Sequence, residues 1–226
     1  MKKAGYRIRI YLIFLCLNFL PSSLFGDLNN GLVAWYPFDG NASDMSGNGK
    51  HGTVNGATLG TDRHGHANKA YSFDGVNDKI EISGYKGITG NLARTVSCWF
   101  KSETIHEADE FLIRWGSDGA QKRWWIVFNQ GNWDGNSEGI RLSISNGYKV
   151  GTTNILSSNW YFFTVSMENN SKLSEVDLYL NGQIENPSHT FLSQAVISTG
   201  NLWDVNIGND FNGSIDDVRI YDRALS

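Results

Sequence analysis

Asp44, Ser46 and Asn48 stand at alternate positions with Gly49 behind them, so three oxygen-bearing side chains can converge where the chain bends sharply. That is chemistry for a hard cation, since calcium takes about six to eight oxygen ligands. The spacing is similar to a helix-loop-helix calcium loop, but Asn55 stands where that loop needs a bidentate Glu and no amphipathic helices flank it. Zinc is disfavoured: His64 and His66 are close, yet no Cys or third His is suitably spaced. A different chemistry lies in Asn129-Gln130-Gly131-Asn132-Trp133-Asp134-Gly135-Asn136, turn-rich and full of amides. There Trp133 could stack on a sugar ring while Asn129, Asn132 and Asp134 bond its hydroxyls; the alternative is a loop indole folded back over the core. Trp124 and Trp125 are consecutive, so on a strand they point to opposite sides, and Trp125 joins Arg114 and Arg141 as a border of the polar sheet face. Neither a His-Glu-x-x-His metalloprotease signature nor a phosphate-cradling glycine loop of the Gly-x-x-x-x-Gly-Lys type is present. Asp109-Glu110 and Asp216-Asp217 are adjacent pairs, expected on opposite faces of a strand and hence unable to share a substrate.

These side chains need a scaffold, and the pattern around them is that of strands. Gly is abundant at 25, Pro scarce at three, and aromatics make up 13% of the chain, a mix suited to short strands and tight turns. Strands are expected at 32–38, 70–73, 79–82, 95–100, 111–115, 124–128, 140–145, 160–167, 176–180, 205–207 and 215–221. Ile140, Leu142 and Ile144 alternate with Arg141, Ser143 and Ser145, which buries one face and wets the other. Asn181-Gly182 is a strong hairpin signal, because a two-residue primed turn needs positive φ at both central positions. Of the eight tryptophans, Trp35, Trp99 and Trp160 fall in apolar strands and are expected in the core.

The N-terminus has a separate purpose. Lys2, Lys3, Arg7 and Arg9 precede an apolar run from Ile10 to Leu20, followed by Pro21, Ser22, Ser23 and Gly26. This is the layout of a secretory signal peptide, too short in its apolar part to span a bilayer. Residues 1–26 are therefore expected to be removed, leaving one domain over 27–226 that is secreted, displayed at the cell surface or periplasmic, with no membrane insertion. Removal takes four of the 19 basic residues and none of the 23 acids, so the remainder carries −8, which argues against nucleic acid and anionic membrane as partners. Cys98 alone remains after removal of Cys16 and cannot form an internal disulfide; within Thr95 to Phe100 it is expected as a small buried hydrophobe.

The stretch from Gly31-Leu32-Val33-Ala34-Trp35-Tyr36-Pro37-Phe38-Asp39 to Gly213-Ser214-Ile215-Asp216-Asp217-Val218-Arg219-Ile220-Tyr221-Asp222-Arg223-Ala224-Leu225-Ser226 resembles the laminin G-like jelly-roll family. Tyr71 to Gly75, Thr95 to Phe100, Asn159 to Phe162 and Leu178 to Gly182 fall in that family's order. Two departures are Cys98, where members often carry a small residue, and an end immediately after Arg-Ala-Leu-Ser. The resemblance implies an all-β, antiparallel two-sheet sandwich of the concanavalin A-like type. It also implies a structural calcium ion clamped by Asp39 and Asp216 with carbonyls of the Asn48 to His51 loop, beside Asp44. Glycoside hydrolases of the same sandwich carry Glu-x-Asp-x-x-Glu on a strand; Glu175-Val176-Asp177 matches its start, but Leu180 replaces the last acid, so one of two required carboxylates is lacking. The expectation is a non-catalytic binding or adhesion module for extracellular carbohydrate or protein. The alternatives are a divergent glycoside hydrolase or lyase, or a structural domain of a larger surface protein.

Overall fold

A computed structural model describes residues 28–103, 109–130, 138–187 and 189–225. The expected signal peptide at 1–26 lies outside the described residues, as do Asn132, Trp133 and Asp134 of the expected sugar loop. No helix among the described residues is long and apolar enough to cross a membrane.

In chain order the strands are β1 (Leu32–Tyr36), β2 (Thr53–Asn55), β3 (Thr58–Thr61), β4 (Ala67–Asp74), β5 (Lys79–Ile82), β6 (Arg94–Ser102), β7 (Glu110–Gly116) and β8 (Arg123–Gln130). Then follow β9 (Glu138–Ser143), β10 (Tyr148–Val150), β11 (Tyr161–Met167), a 3-10 turn (Leu173–Glu175), β12 (Asp177–Leu180), β13 (Gln183–Ile184), β14 (His189–Phe191), β15 (Trp203–Ile207) and β16 (Asn212–Tyr221). The first sheet runs β13-β12-β11-β6-β16-β4-β3, with β1 also paired to β16; the second runs β14-β10-β9-β8-β7-β15-β5-β2. All pairings are antiparallel, and the two sheets stack as an all-β sandwich.

Alternation explains the core. Val96, Cys98 and Phe100 of β6 and Phe163 and Val165 of β11 face Trp124, Ile126 and Phe128 of β8 and Leu142 of β9 across the interior. Trp115 and Trp124 stack there with centroids 5.8 Å apart. Cys98 is fully buried and free. Burial pushes its thiol well up, with Asp216 and Asp217 adding to the effect, so it packs as a small hydrophobe. Asn181 and Gly182 take φ of 51° and 76° between paired Leu180 and Gln183, the expected primed hairpin.

The same alternation corrects the expectation for three tryptophans. Ala34 and Tyr36 turn inward, so Trp35 faces out; Cys98 and Phe100 turn inward, so Trp99 faces out. Both indoles are half-buried, as is Trp160, which precedes β11. A second correction concerns Asp216 and Asp217. A bulge in β16, with Asp217 at φ 50°, inserts a residue between the inward-facing Ile215 and Val218, so the two acids share the outer side of the sheet.

Candidate functional site

The residues that could act together lie on the outer face of the second sheet. Side chains opposite one another in a ladder share a face, so register alone defines a row. Glu81, Asn206, Arg114, Trp125, Ser143, Tyr148 and Phe191 are successive partners across β5, β15, β7, β8, β9, β10 and β14. At about 4.8 Å per strand this row is roughly 29 Å long, perpendicular to the strands. A groove of about 560 Å³ follows it from Lys79 and Glu81 to Trp125, joined by Lys86 and Trp203. It continues past Trp125 as a second depression of about 270 Å³, between Arg141, Ser143, Tyr148 and Phe191. Arg123 and Trp125 line both halves.

Trp125 is the pivot of this face. Its ring lies 6.0 Å from Trp203 in a stacked pair, and Phe111 meets it edge-on at 5.0 Å. The guanidinium of Arg123 sits 4.0 Å above it and that of Arg114 5.8 Å away, the latter also 4.6 Å over Phe111. Arg114 donates to Asn209 Oδ1 at 2.6 Å, Arg123 to Asp118 Oδ1 at 2.8 Å, and Arg141 to Asp109 Oδ1. Burial pulls Arg114 below the ordinary guanidinium range; Asp210 opposes this and the charge of Arg123 adds to it. Lys79 pairs with Glu81 at 2.9 Å and Lys86 with Asp204 at 2.8 Å. Burial pushes Asp204 up, but the Lys86 ammonium and the Gly84 N–H outweigh it, so the carboxylate is held ionised. Trp125 Nε1, Arg123 Nε and Asn206 Oδ1 are covered without a hydrogen-bond partner among the described residues.

Of the residues expected to meet a ligand, the structure brings Arg114, Trp125 and Arg141 onto one face. Asn129 lies near the end of β8, beside the loop that falls outside the described residues. Sequence reasoning missed Trp203 and Arg123. A bulge on β15 between Trp203 and Asn206 turns Trp203 outward, and no local pattern marks it.

The residues expected around calcium are engaged otherwise. Asp44 is buried; its Oδ1 accepts from Trp35 N at 3.0 Å and Ser46 N at 2.9 Å, and its Oδ2 from Lys50 N at 3.0 Å. Burial works against ionisation there, yet these donors hold Asp44 below the ordinary carboxylate range. His51 Nδ1 accepts from Asp44 N at 3.1 Å, and Asn48 Nδ2 donates to the carbonyls of Leu32 and Val33 at 3.1 and 3.0 Å. Thus Asp44, Asn48 and His51 share one loop stitched to β1. Asp39 is exposed and pairs with Lys69 at 3.2 Å, while Asp216 is buried and pairs with Arg63 at 2.7 Å. Among the described residues no group of three or more His, Cys, Asp or Glu is placed to hold a metal. A calcium ion at Asp39 and Asp216 would compete with Lys69 and Arg63 for these carboxylates.

The partial hydrolase motif is dispersed. Glu175 lies in the 3-10 turn rather than on a strand, its carboxylate accepting from Lys172 N at 2.9 Å. Asp177 is exposed on β12 and Leu180 faces the core, both in the first sheet, away from the groove.

Two antiparallel sheets in face-to-face contact, each of eight strands among the described residues, with an aromatic and charged groove across one outer face, define a jelly-roll sandwich of concanavalin A-like type. The chain belongs to the concanavalin A-like lectin/glucanases superfamily, whose family model matches residues 73–226. Comparison with curated protein sequences returns no match. Among solved structures it is similar to domain 4 of AbnA, a GH43 extracellular arabinanase from Geobacillus stearothermophilus, in complex with arabinotriose. That match has 24% identity and TM-score 0.64 over 86% of this chain and 94% of that one. It is also similar to the botulinum neurotoxin serotype D binding domain, at 17% identity and TM-score 0.60, over 88% of this chain and 50% of that one. Trypanosoma rangeli sialidase matches at 14% identity and TM-score 0.60, over 87% of this chain and 31% of that one. At these identities the likeness establishes the fold, one shared by binding domains and by enzymes.

Proposed function

We propose that this chain is an exported, non-catalytic glycan-binding module that holds an extended oligosaccharide along the row across the second sheet. The observation that carries this reading is the row itself: polar and aromatic side chains stand at strand spacing along an open groove, with Trp125 at its centre. Stacked rings and hydroxyl-bonding amides and acids are what a sugar needs, and the fold is shared with an arabinanase domain solved with arabinotriose. The groove acids Glu81 and Asp204 are each tied to a lysine, which favours binding over proton donation to a leaving group. The basic and apolar N-terminal run supports export. For calcium we propose the surroundings Asp39, Asp44, Asn48, His51 and Asp216, supported by the closeness of the middle three; binding there requires Lys69 and Arg63 to move away.

A chain-length series tests the glycan reading. A polysaccharide found by array screening is cut into oligomers of one to eight units and each is titrated calorimetrically. Affinity is expected to climb with each unit until the groove is filled. A monosaccharide that binds as tightly as the longest oligomer, or no glycan ligand at all, would refute it.

A further inference from the structure

Resting on the glycan reading of this groove, we infer that its ligand is an acidic glycan, whose carboxylate or sulfate groups are gripped by Arg114 and Arg123, with Arg141 adding positive charge on the far flank. The whole chain is acidic at −4, yet three consecutive strands of this face each present an arginine. Arg114 on β7 lies in the row opposite Trp125. Arg123 stands two residues before Trp125 on β8, and Arg141 two residues before Ser143 on β9, where Ser143 pairs with Trp125. Because β8 and β9 are antiparallel, these two arginines fall on opposite sides of the row, each about 7 Å from it along the strand. A chain laid in the groove therefore passes between guanidinium groups on both flanks and beside one within the row.

Arg141 is buried and paired with Asp109, whereas the partners of Arg114 and Arg123 leave capacity for an anion. Arg114 is half-buried, and among the described residues no carboxylate lies within ion-pair distance; it donates instead to the neutral amide oxygen of Asn209. A guanidinium carries five N–H donors in a rigid fork that matches two oxygens of one acid group. Its carbon lies 4.6 Å over the Phe111 ring and 5.8 Å from that of Trp125, which places the guanidinium among the aromatics of the groove. Arg123 has a carboxylate partner, Asp118, whose side chain is 74% exposed on a turn; such a pair is weak and exchangeable. Arg114 and Arg123 are also near enough for the charge of one to disfavour that of the other, a repulsion that an anion between them relieves. Neutral sugar hydroxyls need neither the forks nor the charge.

The test uses the full chain in calorimetry and affinity electrophoresis with matched pairs: polygalacturonate against its methyl ester, and dextran sulfate against dextran. The acidic member of at least one pair is expected to bind about ten-fold or more tightly, with affinity falling as salt rises. Whichever pair shows the contrast identifies carboxylate or sulfate as the group recognised. Arg114→Lys keeps the charge and loses the fork, and is expected to weaken acidic binding several-fold with an unchanged melting curve; Arg123→Gln is the second variant should Arg114→Lys be poorly folded. Equal binding of neutral and acidic members overturns this inference while the glycan reading stands. Failure of every polysaccharide, neutral or acidic, overturns both.

Discussion

Replacing Trp125 by Ala separates what the indole does for the fold from what it does for a ligand, and both can be sized. Its ring touches Trp203 in a stacked pair, Phe111 edge-on and the Arg123 guanidinium at 4.0 Å. Aromatic pairs contribute about 0.5–1.5 kcal/mol each and an exposed cation–π contact about 0.5–1. The fold should therefore lose roughly 2–4 kcal/mol, because the outer face collapses only in part and the inner Trp124 keeps the core filled. Binding should suffer separately: a central aromatic anchor carries about 2 kcal/mol or more, roughly a thirty-fold loss in affinity. Urea unfolding measures the first quantity and titration with the best glycan ligand, at a temperature where the variant is fully folded, measures the second. Arg123→Gln, which removes the cation but leaves the ring, should cost less than about 1 kcal/mol of stability. The reasoning is refuted if Trp125→Ala is folded and binds its glycan as tightly as the parent chain, since the row then lacks its centre.

Two further outcomes are expected from other parts of the molecule. Burial first, then Asp217 and Asp62, push the Asp216 carboxyl up to about 7 against the pull of Arg63. The folded state therefore keeps a proton that the unfolded chain sheds near pH 4. Stability from this group is full below about pH 4 and is lost as pH rises towards 7, by roughly 4 kcal/mol if fully sheltered and about half that with solvent screening at Arg63, whose side chain is 25% exposed. Asp216→Asn should flatten this slope in urea titrations run with chelator, and an unchanged slope counts against it. If calcium binds beside Asp39, Asp44 and Asp216, millimolar calcium should raise the melting temperature over chelator by several degrees; identical curves dispose of the ion.

Legibility in the sequence followed the strength of local pattern. Runs such as Thr95 to Phe100 and Trp124 to Phe128 were readable because β-branched and aromatic residues cluster between turn residues. β2, β3, β10, β13 and β14 are two to four residues long, mostly polar, and owe their conformation to a neighbouring strand rather than to their own composition. The outward turn of Trp35 and Trp99 was hidden because an unbroken apolar run does not say which alternates face in. The sharing of one side by Asp216 and Asp217 was hidden for a related reason: a bulge adds one residue to the count and resets the alternation after it. Trp203 was missed by the same mechanism on β15. Trp125 and Arg141 were found because β8 and β9 keep period two around them, and Arg114 because Ile113 and Trp115 on either side of it face the core.

The two outer faces of the sandwich carry similar side chains and yet differ in what they leave undone. On the first sheet, Trp35 donates its indole N–H to Asp217 at 2.7 Å and lies 4.9 Å beneath Arg219, which itself pairs with Asp217. Trp99 lies 4.7 Å beneath Arg63, which pairs with Asp216, and its other neighbour is Phe162. Each ring there has a cation and each of those cations has an acid, so the polar chemistry closes on itself. On the second sheet the corresponding circuit is open: Arg114 has an amide in place of an acid, and Trp125 Nε1 and Asn206 Oδ1 find no partner among the described residues. That inequality between faces, more than the presence of aromatics on either, is why the proposed binding row is placed on the second sheet.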